Sequence, residues 1–456
     1  MLWDYLKEKM LLYPQKHISE CNAKLTFEET VVFAQEFAKQ LTASCYAILC
    51  QSELATALAI LSCFAANVTA VPMSYKYGET HCKRILQKIH PPFIITDIGG
   101  ELHVVDVDTG EFVPRQDPPA LIMCTSGTTG MPKGVMLSEE NILTNILDID
   151  KYFQLNSQDQ ILIARPLYHS AVLSGEFLFS LTKGLEILFY SGDFHPLELS
   201  KLIKQHKITV MCGTPTMFQI LSRFSKEKNV NLKKIALSGE CLSADTAKQI
   251  QQAFSDAKIY HVYGLTEASP RVSYLPPELF YKHPTSVGFP LRSVEIKVVD
   301  KNGRLQCVNR VGELWVKGKN IMLGYYNEPE RTQAVLQDGW LCTGDLAFLD
   351  QNGLLYIKCR KDDMIIRAGM NIYPQEIEMI LKEDPRVEEV LAYGIYNKFS
   401  GEAVGLQIKG KFNHIDDILR LCKEKLPPYE QPVKVKIVEE IPKNGSGKMI
   451  RRKYYE

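Results

Sequence analysis

At 456 residues the chain is longer than one hydrophobic core usually supports, so two or more domains are expected. Its 45% hydrophobic and 23% charged content suits a globular protein, and 53 basic against 53 acidic residues leave no global field to attract nucleic acid or an anionic membrane. Apolar runs such as residues 55–66 are too short and too interrupted to span a bilayer, and an N-terminus containing Asp4, Lys7, Glu8 and Lys9 does not resemble a secretory signal, so a cytoplasmic protein is expected.

From residue 47 onward, short β-rich runs alternate with helical patterns. A strand is predicted over residues 47–50, a helix over 53–65 and a strand over 93–96. Further strands follow at 160–164, 185–190, 208–211, 234–237 and 258–262, with helices at 196–205 and 244–254 between them. Such alternation predicts an α/β fold of parallel sheets covered by helices. After residue 284 the pattern turns to strands and turns, with strands at 294–299 and 312–317 and an Asn302-Gly303 turn, which predicts a β-rich subdomain. A second Asn-Gly turn at Asn352-Gly353 leads to a strand at 355–358 and the charged stretch 360–363. The remainder alternates helix (374–382), strands (387–395 and 403–409), helix (415–425) and strand (433–438), enough for a small α+β domain. We place the domain boundary near Lys361, giving domains 1–361 and 362–456.

The twelve cysteines are scattered through apolar segments, and no Cys-x-x-Cys pair occurs. Cys63, Cys124 and Cys212 read as small buried hydrophobes in a reducing compartment. Zinc ligation is not expected, and Cys342 and Cys359 have no neighbouring base to make them nucleophiles.

The segment Thr125-Ser126-Gly127-Thr128-Thr129-Gly130-Met131-Pro132-Lys133-Gly134 concentrates hydroxyls, glycines and a lysine directly after an apolar run. Glycines let backbone N–H groups approach phosphate oxygens, hydroxyls add donors, and the lysine adds positive charge. It is not a Walker A loop, because Lys133 follows the last turn glycine and a proline rather than opening a helix. On composition alone the segment equally suits a surface turn. Three further clusters shift that balance by their order along the chain. Tyr263-Gly264-Leu265-Thr266-Glu267 directly follows a predicted strand, where open α/β sheets place ligand contacts. Thr343-Gly344-Asp345 puts a carboxylate on a turn, suited to a ribose diol, and Lys443-Asn444-Gly445-Ser446-Gly447-Lys448 carries a lysine on a glycine-rich loop.

Together these motifs resemble the ANL superfamily of adenylate-forming enzymes, which contains acyl- and aryl-CoA synthetases, peptide-synthetase adenylation domains and luciferases. The resemblance runs from Leu25-Thr26-Phe27-Glu28 to Lys448-Met449-Ile450-Arg451. It implies ATP-dependent activation of a carboxylate to an acyl-adenylate with release of pyrophosphate, then transfer to a thiol, with ATP, Mg²⁺ and CoA or phosphopantetheine as cofactors. By the same resemblance, Thr125, Ser126, Gly127, Thr128, Thr129, Gly130 and Lys133 hold the β- and γ-phosphates. Tyr263, beside Gly264, stacks on adenine, Thr266 bonds the α-phosphate, and Glu267 binds Mg²⁺. Asp345 and Arg360 hold the ribose hydroxyls. Lys448 reaches between carboxylate and α-phosphate, where an ammonium stabilises the charge built when one anion attacks another. The stretch 360–378 resembles the hinge and thioester-forming motif, with Asp362 at the hinge and Gly369 leaving room for pantetheine.

Three departures from the family pattern stand out. Cys359 replaces the glycine usual before the hinge arginine, and His261 lies two residues ahead of Tyr263, where many members have asparagine before the stacking aromatic. Ser238-Gly239-Glu240 stands where paired glycines are common. Pro166-Leu167-Tyr168-His169-Ser170 resembles the segment that in CoA ligases supplies a gate at the carboxylate end of the pocket. Peptide-synthetase domains carry an aspartate there to pair an α-ammonium, so His169 favours a plain carboxylic acid. Ala171, Gly213, Val262 and Gly264 are candidate lining residues. The expectation is an acid–CoA ligase. The alternatives are a stand-alone enzyme loading a carrier protein in trans and, in another class, a non-catalytic nucleotide-binding protein on the same fold.

Overall fold

Ser52 starts the helix Glu53–Ala65 by accepting the Ala55 N–H on its side chain at 3.1 Å. Nearly every side chain of that helix is buried, so its apolar run is a core element covered on all sides rather than a surface stripe. Similar caps set other helices that frame the sheets. Thr26 and Glu29 form a capping box for Phe27–Ala38, and Ser138 with Asn141 does the same for Glu139–Phe153.

The computed structural model describes residues 1–114, 117–125, 132–224, 231–443 and 449–451, with nothing stated of the Tyr77 side chain. The chain divides into two compact units, Met1–Ile296 with Val316–Leu341, and Lys297–Trp315 with Cys342–Glu456. The boundary read from the sequence, Lys361, lies inside the second unit.

The first unit holds two large sheets. In the nine-stranded one, the strands Lys258–Gly264, Lys234–Leu237, Val210–Gly213, Gln160–Ile163, Glu186–Phe189 and His17–Glu20 run parallel, as the strand–helix alternation predicts. One edge continues antiparallel through Arg271–Leu275 and Phe289–Pro290 and the other through Ala23–Thr26. In the seven-stranded sheet a parallel centre, Phe93–Ile98, Cys45–Ile48, Thr69–Pro72 and Leu121–Thr125, carries antiparallel Lys133–Leu137 beside its last strand, and Gly324–Tyr325 pairs with the outer side of that one. The strands Leu121–Thr125 and Lys258–Gly264 end in motif segments, and the helix Ser170–Val172, with its π-helical continuation Leu173–Leu178, starts directly after His169.

The second unit contains the antiparallel pair Trp340–Leu349 and Leu355–Arg360, taken from residue 345 onward, and a sheet of Met370–Ile372, Ile365–Arg367, Gly401–Gly410 and Val387–Asn397, with Lys434–Ile437 parallel to Gly401–Gly410. The helices Pro374–Leu381 and Ile415–Lys425 supply Ile377, Leu381, Ile418 and Leu421 to a core shared with Val390, Leu406 and Ile408. Among the described residues no helix is long and apolar enough to cross a membrane.

Candidate active site

The hydroxyl- and glycine-rich segment begins on one strand and ends on its antiparallel partner, with Thr125 directly opposite Lys133. Ser126, Gly127, Thr128, Thr129 and Gly130 lie outside the described residues, as does Lys448. Gly134 has a packing reason to be glycine: a Cβ there would come within 2.9 Å of Ile89 and 3.0 Å of Ile122. The strand Gly324–Tyr325 lies against Met136 and Val135, which puts the Tyr325 ring under the Lys133 ammonium, 5.3 Å from its centroid.

Tyr325 then links the lysine to the second motif. Its hydroxyl donates to Glu267 Oε1 at 2.9 Å, and the Met322 N–H donates to the Glu267 carbonyl at 2.9 Å. Lys133 and Glu267, 134 residues apart in sequence, are thus brought to the two sides of one tyrosine. Among the described residues Glu267 Oε2 has no protein partner, so one hard carboxylate oxygen is left for a cation, which suits Mg²⁺ completing its shell with phosphate and water. Among the described residues no group of three or more His, Cys, Asp or Glu side chains could hold a metal ion.

The turn carrying Glu267 is built tightly. Tyr263 and Gly264 end the strand Lys258–Gly264 at a register shift against Arg271–Leu275. A Cβ on Gly264 would stand 2.2 Å from the Pro270 carbonyl oxygen, so only glycine permits this approach. Tyr263 is half-buried and Gly264 exposed. Thr266 opens the short 3₁₀ turn Thr266–Ala268, and its hydroxyl accepts from Ser170 Oγ at 3.1 Å. That bond joins the turn to the segment after His169, which caps Ser170–Val172 with its ring 4.1 Å from that of Tyr168.

Glu53 fixes the same segment from below: its Oε2 accepts the Leu167 N–H at 2.9 Å, and burial pushes its carboxyl up to about 7. His261 is buried and hydrogen-bonded to backbone. It is 2% exposed, Nδ1 donates to the Ser286 carbonyl at 2.8 Å, and burial pushes the ring down to about 4, so it stays neutral. In the Ser238-Gly239-Glu240 turn the middle residue supplies φ +90°, and Glu240 accepts the Thr216 N–H at 3.1 Å and its hydroxyl at 2.7 Å. Glu240 thereby caps the helix Pro215–Phe224.

In the second unit Asp345 and Arg360 face each other across the strand pair, Nη1 donating to Asp345 Oδ1 at 3.1 Å and to the Thr343 carbonyl at 2.9 Å. Thr343 anchors this turn: its hydroxyl donates to the Leu314 carbonyl at 2.7 Å and accepts the Asp345 N–H at 3.0 Å. The Asp345 side chain is 10% exposed and that of Arg360 49%, so the carboxylate is held while the guanidinium reaches solvent. Cys359 is buried, and burial raises the Cys342 thiol to about 11, so Cys342 supplies no thiolate near neutrality.

Asp362 is exposed on the turn Lys361–Asp363. Ala368 and Gly369, with φ of +49° and +81°, form a two-residue reversal between Arg367 and Met370. A Cβ on Gly369 would meet nothing within 4 Å. The segment containing Lys448 is entered and left through paired residues, Lys443 bridging Met449 and the Ile450 N–H donating to the Pro442 carbonyl at 2.8 Å. Arg451 then binds Asp363 at 2.9 Å, Glu378 at 2.5 Å and the Ala392 carbonyl at 2.8 Å.

Comparison with known proteins bears on this arrangement. A family model described as AMP-binding enzyme matches residues 7–326, and one described as AMP-binding enzyme C-terminal domain matches 376–448. The chain belongs to the AMP-binding enzyme family. Relatives include a long-chain-fatty-acid–CoA ligase of Bacillus subtilis, 34% identical over 75% of this chain and 63% of the relative, so that the chain spans less than two thirds of that protein. A 2-succinylbenzoate–CoA ligase of B. subtilis is 30% identical over 94% of this chain and 92% of its own length. A solved structure of o-succinylbenzoate CoA synthetase from B. subtilis, in complex with an acyl-adenylate intermediate, superposes with a TM-score of 0.88 at 28% identity, covering 98% of this chain and 96% of that one. A structure of the same enzyme with ATP and magnesium ion gives 0.87 over 98% of each. The expected ANL fold is therefore borne out for this AMP-binding enzyme.

Sequence reasoning did not single out Tyr325, Ser170 or Glu53. Tyr325 and Glu53 act on partners 58 and 114 residues away, and a Gly-Tyr pair or a helix-opening glutamate carries no local mark of such a role.

Proposed function

We propose that the protein is an AMP-forming acid–CoA ligase. A carboxylate attacks the α-phosphate of ATP to give an acyl-adenylate and pyrophosphate, and the CoA thiol then displaces AMP to give the thioester. The observation that carries this reading is the convergence, around Tyr325, of Lys133 from the phosphate-type loop and Glu267 from the following motif, with Thr266 tied to the His169 segment through Ser170. In this reading Lys133 and the hydroxyls from Thr125 to Thr129 hold the outer phosphates. Tyr263 stacks on adenine and Thr266 bonds the α-phosphate. Glu267 would hold Mg²⁺, which supplies charge neutralisation for the pyrophosphate leaving group. His169 closes the carboxylate end, Asp345 and Arg360 bind the ribose, and Lys448 stabilises charge in the first half-reaction.

The relatives' names and the absence of an ammonium-pairing aspartate at His169 support a plain carboxylic acid and CoA. The phosphopantetheine of a carrier protein presents the same thiol, and the second arm of the test separates the two. We assign Asp362 as the hinge between catalytic domains 1–361 and 362–456, and Gly369 as the glycine beside the pantetheine path. Twelve free cysteines, eight of them buried, support work in a reducing cytosol.

Acid-dependent pyrophosphate release, screened over fatty, aryl and dicarboxylic acids and then repeated with CoA or with a phosphopantetheinylated carrier, tests the proposal. Release with some acid followed by CoA thioester is the expected result. Tight nucleotide binding without pyrophosphate from any acid would replace it with a non-catalytic nucleotide-binding protein.

A further inference from the structure

Arg271 opens the strand Arg271–Leu275 opposite Gly264, five residues after Thr266, and is 4% exposed. Its guanidinium has only neutral hydrogen-bond partners: Nη1 donates to the Tyr152 hydroxyl and Nη2 to the Gly175 carbonyl at 3.1 Å. Aromatic faces lie beside it, with ring centroids of Phe153 at 5.5 Å and Tyr152 at 5.9 Å, and Tyr274 stacks on Tyr152 at 4.0 Å. The nearby carboxylate, Glu176, is fully buried and already paired with Arg165. Among the described residues no carboxylate oxygen lies within 4.0 Å of the Arg271 guanidinium. Glu176 is thus taken up by Arg165, whose side chain is 15% exposed, while the enclosed Arg271 has no carboxylate at ion-pair distance among the described residues, and an unmatched buried cation is costly. The surroundings call for one more anion.

The location says where that anion would come from. Gly175 and Glu176 lie on the π-helical turn that continues Ser170–Val172 behind His169, and Ser170 bonds Thr266. Both segments proposed to frame the reacting carboxylate therefore run directly into the surroundings of Arg271. Glycine at 175 lets the helix backbone pack closely beside the guanidinium, since a Cβ there would stand 3.1 Å from Arg271 Nε and crowd it.

We infer that Arg271 is a specificity-determining residue that receives a second anionic group at the far end of the substrate, so that the acid activated here is dicarboxylic. The inference rests on the acid–ligase reading. One carboxylate reacts beside Thr266 and His169, and the other lies against the guanidinium as its counter-charge. Arginine suits this role because its planar fork binds a carboxylate through two parallel N–H donors. A monocarboxylic acid of the same length would leave the cation unmatched, which disfavours it more than the loss of one contact.

The experiment compares kcat/KM for acid-dependent pyrophosphate release with matched pairs, straight-chain diacids and monoacids of equal carbon number and terephthalate against benzoate. The proteins are the full-length wild type, Arg271→Met, Arg271→Lys and Gly175→Ala. Wild type is expected to favour the diacid of its preferred length by about 10-fold or more. Arg271→Met should invert that ratio through a rise in diacid KM, and Arg271→Lys should restore part of it. If Arg271→Met does not fold, Gly175→Ala decides, because it crowds the guanidinium without deleting it and must raise the diacid KM relative to the monoacid. A wild type that takes monoacids as well as or better than diacids overturns the assignment while leaving the ligase reading intact, and so does a ratio that none of the substitutions moves. Pyrophosphate from no acid at all overturns the ligase reading and this assignment with it.

Discussion

The turn at Tyr263–Glu267 and the reversal at Ala368-Gly369 both leave a β-strand, and both require glycine, for opposite physical reasons. Gly264 is demanded by crowding, with the Pro270 carbonyl 2.2 Å from where a Cβ would stand. Gly369 is demanded by backbone sign alone, φ +81° with open space around it. The first turn is cross-braced by Tyr325, Met322 and Ser170, whereas the second projects from its sheet with exposed residues on both sides. The contrast fits a division of labour. Groups that stabilise developing charge gain from being held still, because no reorganisation is then needed during reaction. A group beside which a long flexible acceptor must pass gains from an empty surround.

The sharpest way to break this contrast is to remove charge stabilisation outright. Lys448→Ala is expected to lower acid-dependent ATP–pyrophosphate exchange by roughly 10²-fold or more while leaving ATP binding within a few-fold. Near-normal exchange would remove Lys448 from the first half-reaction.

Next in size is an effect confined to the second half-reaction. Gly369→Asn keeps a residue tolerant of positive φ yet adds a side chain, so strain and obstruction are separated. Single-turnover measurements should find adenylate formation close to wild type and its consumption by CoA slowed about 10-fold, which is the obstruction expected of a misplaced side chain. Asp362→Pro, which fixes φ at the proposed hinge, should slow the same step. Consumption of adenylate at the wild-type rate by both variants would eliminate both assignments.

A smaller change probes the bracing of the rigid turn. Tyr325→Phe removes the hydroxyl held by Glu267 and leaves the ring beneath Lys133. The loss of one net hydrogen bond, with the Glu267 carboxylate still able to reach solvent, predicts a decrease of about 1 kcal/mol, roughly 5-fold, read as a decline in exchange rate with a raised Mg²⁺ requirement. An unchanged Mg²⁺ titration would make Tyr325 a packing residue only.

The last expected effect is on stability and leaves the chemistry untouched. Glu53 has its folded pKa raised to about 7 by burial, so its contribution is fullest in acid and is lost as pH rises from its ordinary value through about 7. Glu53→Gln retains an acceptor for Leu167 without the ionisation. Relative to wild type, the variant should therefore gain about 1–3 kcal/mol between pH 4.5 and pH 7.5. Thermal unfolding at both pH values measures it, and parallel pH profiles would show that the carboxyl does not titrate there.

Much of the scaffold was legible because local signals and burial agreed. Glu53–Ala65, Pro196–Gln205 and Ile415–Lys425 begin and end where periodicity and terminal residues predict, and so do the strands Lys234–Leu237 and Val294–Val299. The strand expected at 208–211 instead spans Val210–Gly213, because its pairing with Lys234–Leu237, rather than its β-branched start, sets its register. The N-terminal helix Leu2–Leu11 showed only as amphipathic patterning, although it buries Leu2, Trp3, Leu6 and Met10. In the candidate site, motif order singled out Lys133, Thr266 and Glu267 but not what holds them. Arg271 illustrates why: Tyr152 and Gly175 lie 119 and 96 residues from it, and only folding shows that the arginine lacks a carboxylate partner.

The buried cysteines make the protein its own reporter of opening. Cys21, Cys241 and Cys307 are exposed and should react with an alkylating reagent at once, whereas Cys45, Cys63, Cys124 and Cys212 in the first unit and Cys359 and Cys422 in the second are enclosed. Enclosed thiols react only through transient unfolding, so peptide-resolved labelling kinetics would time the opening of each unit separately, and bound nucleotide would slow whichever unit grips it.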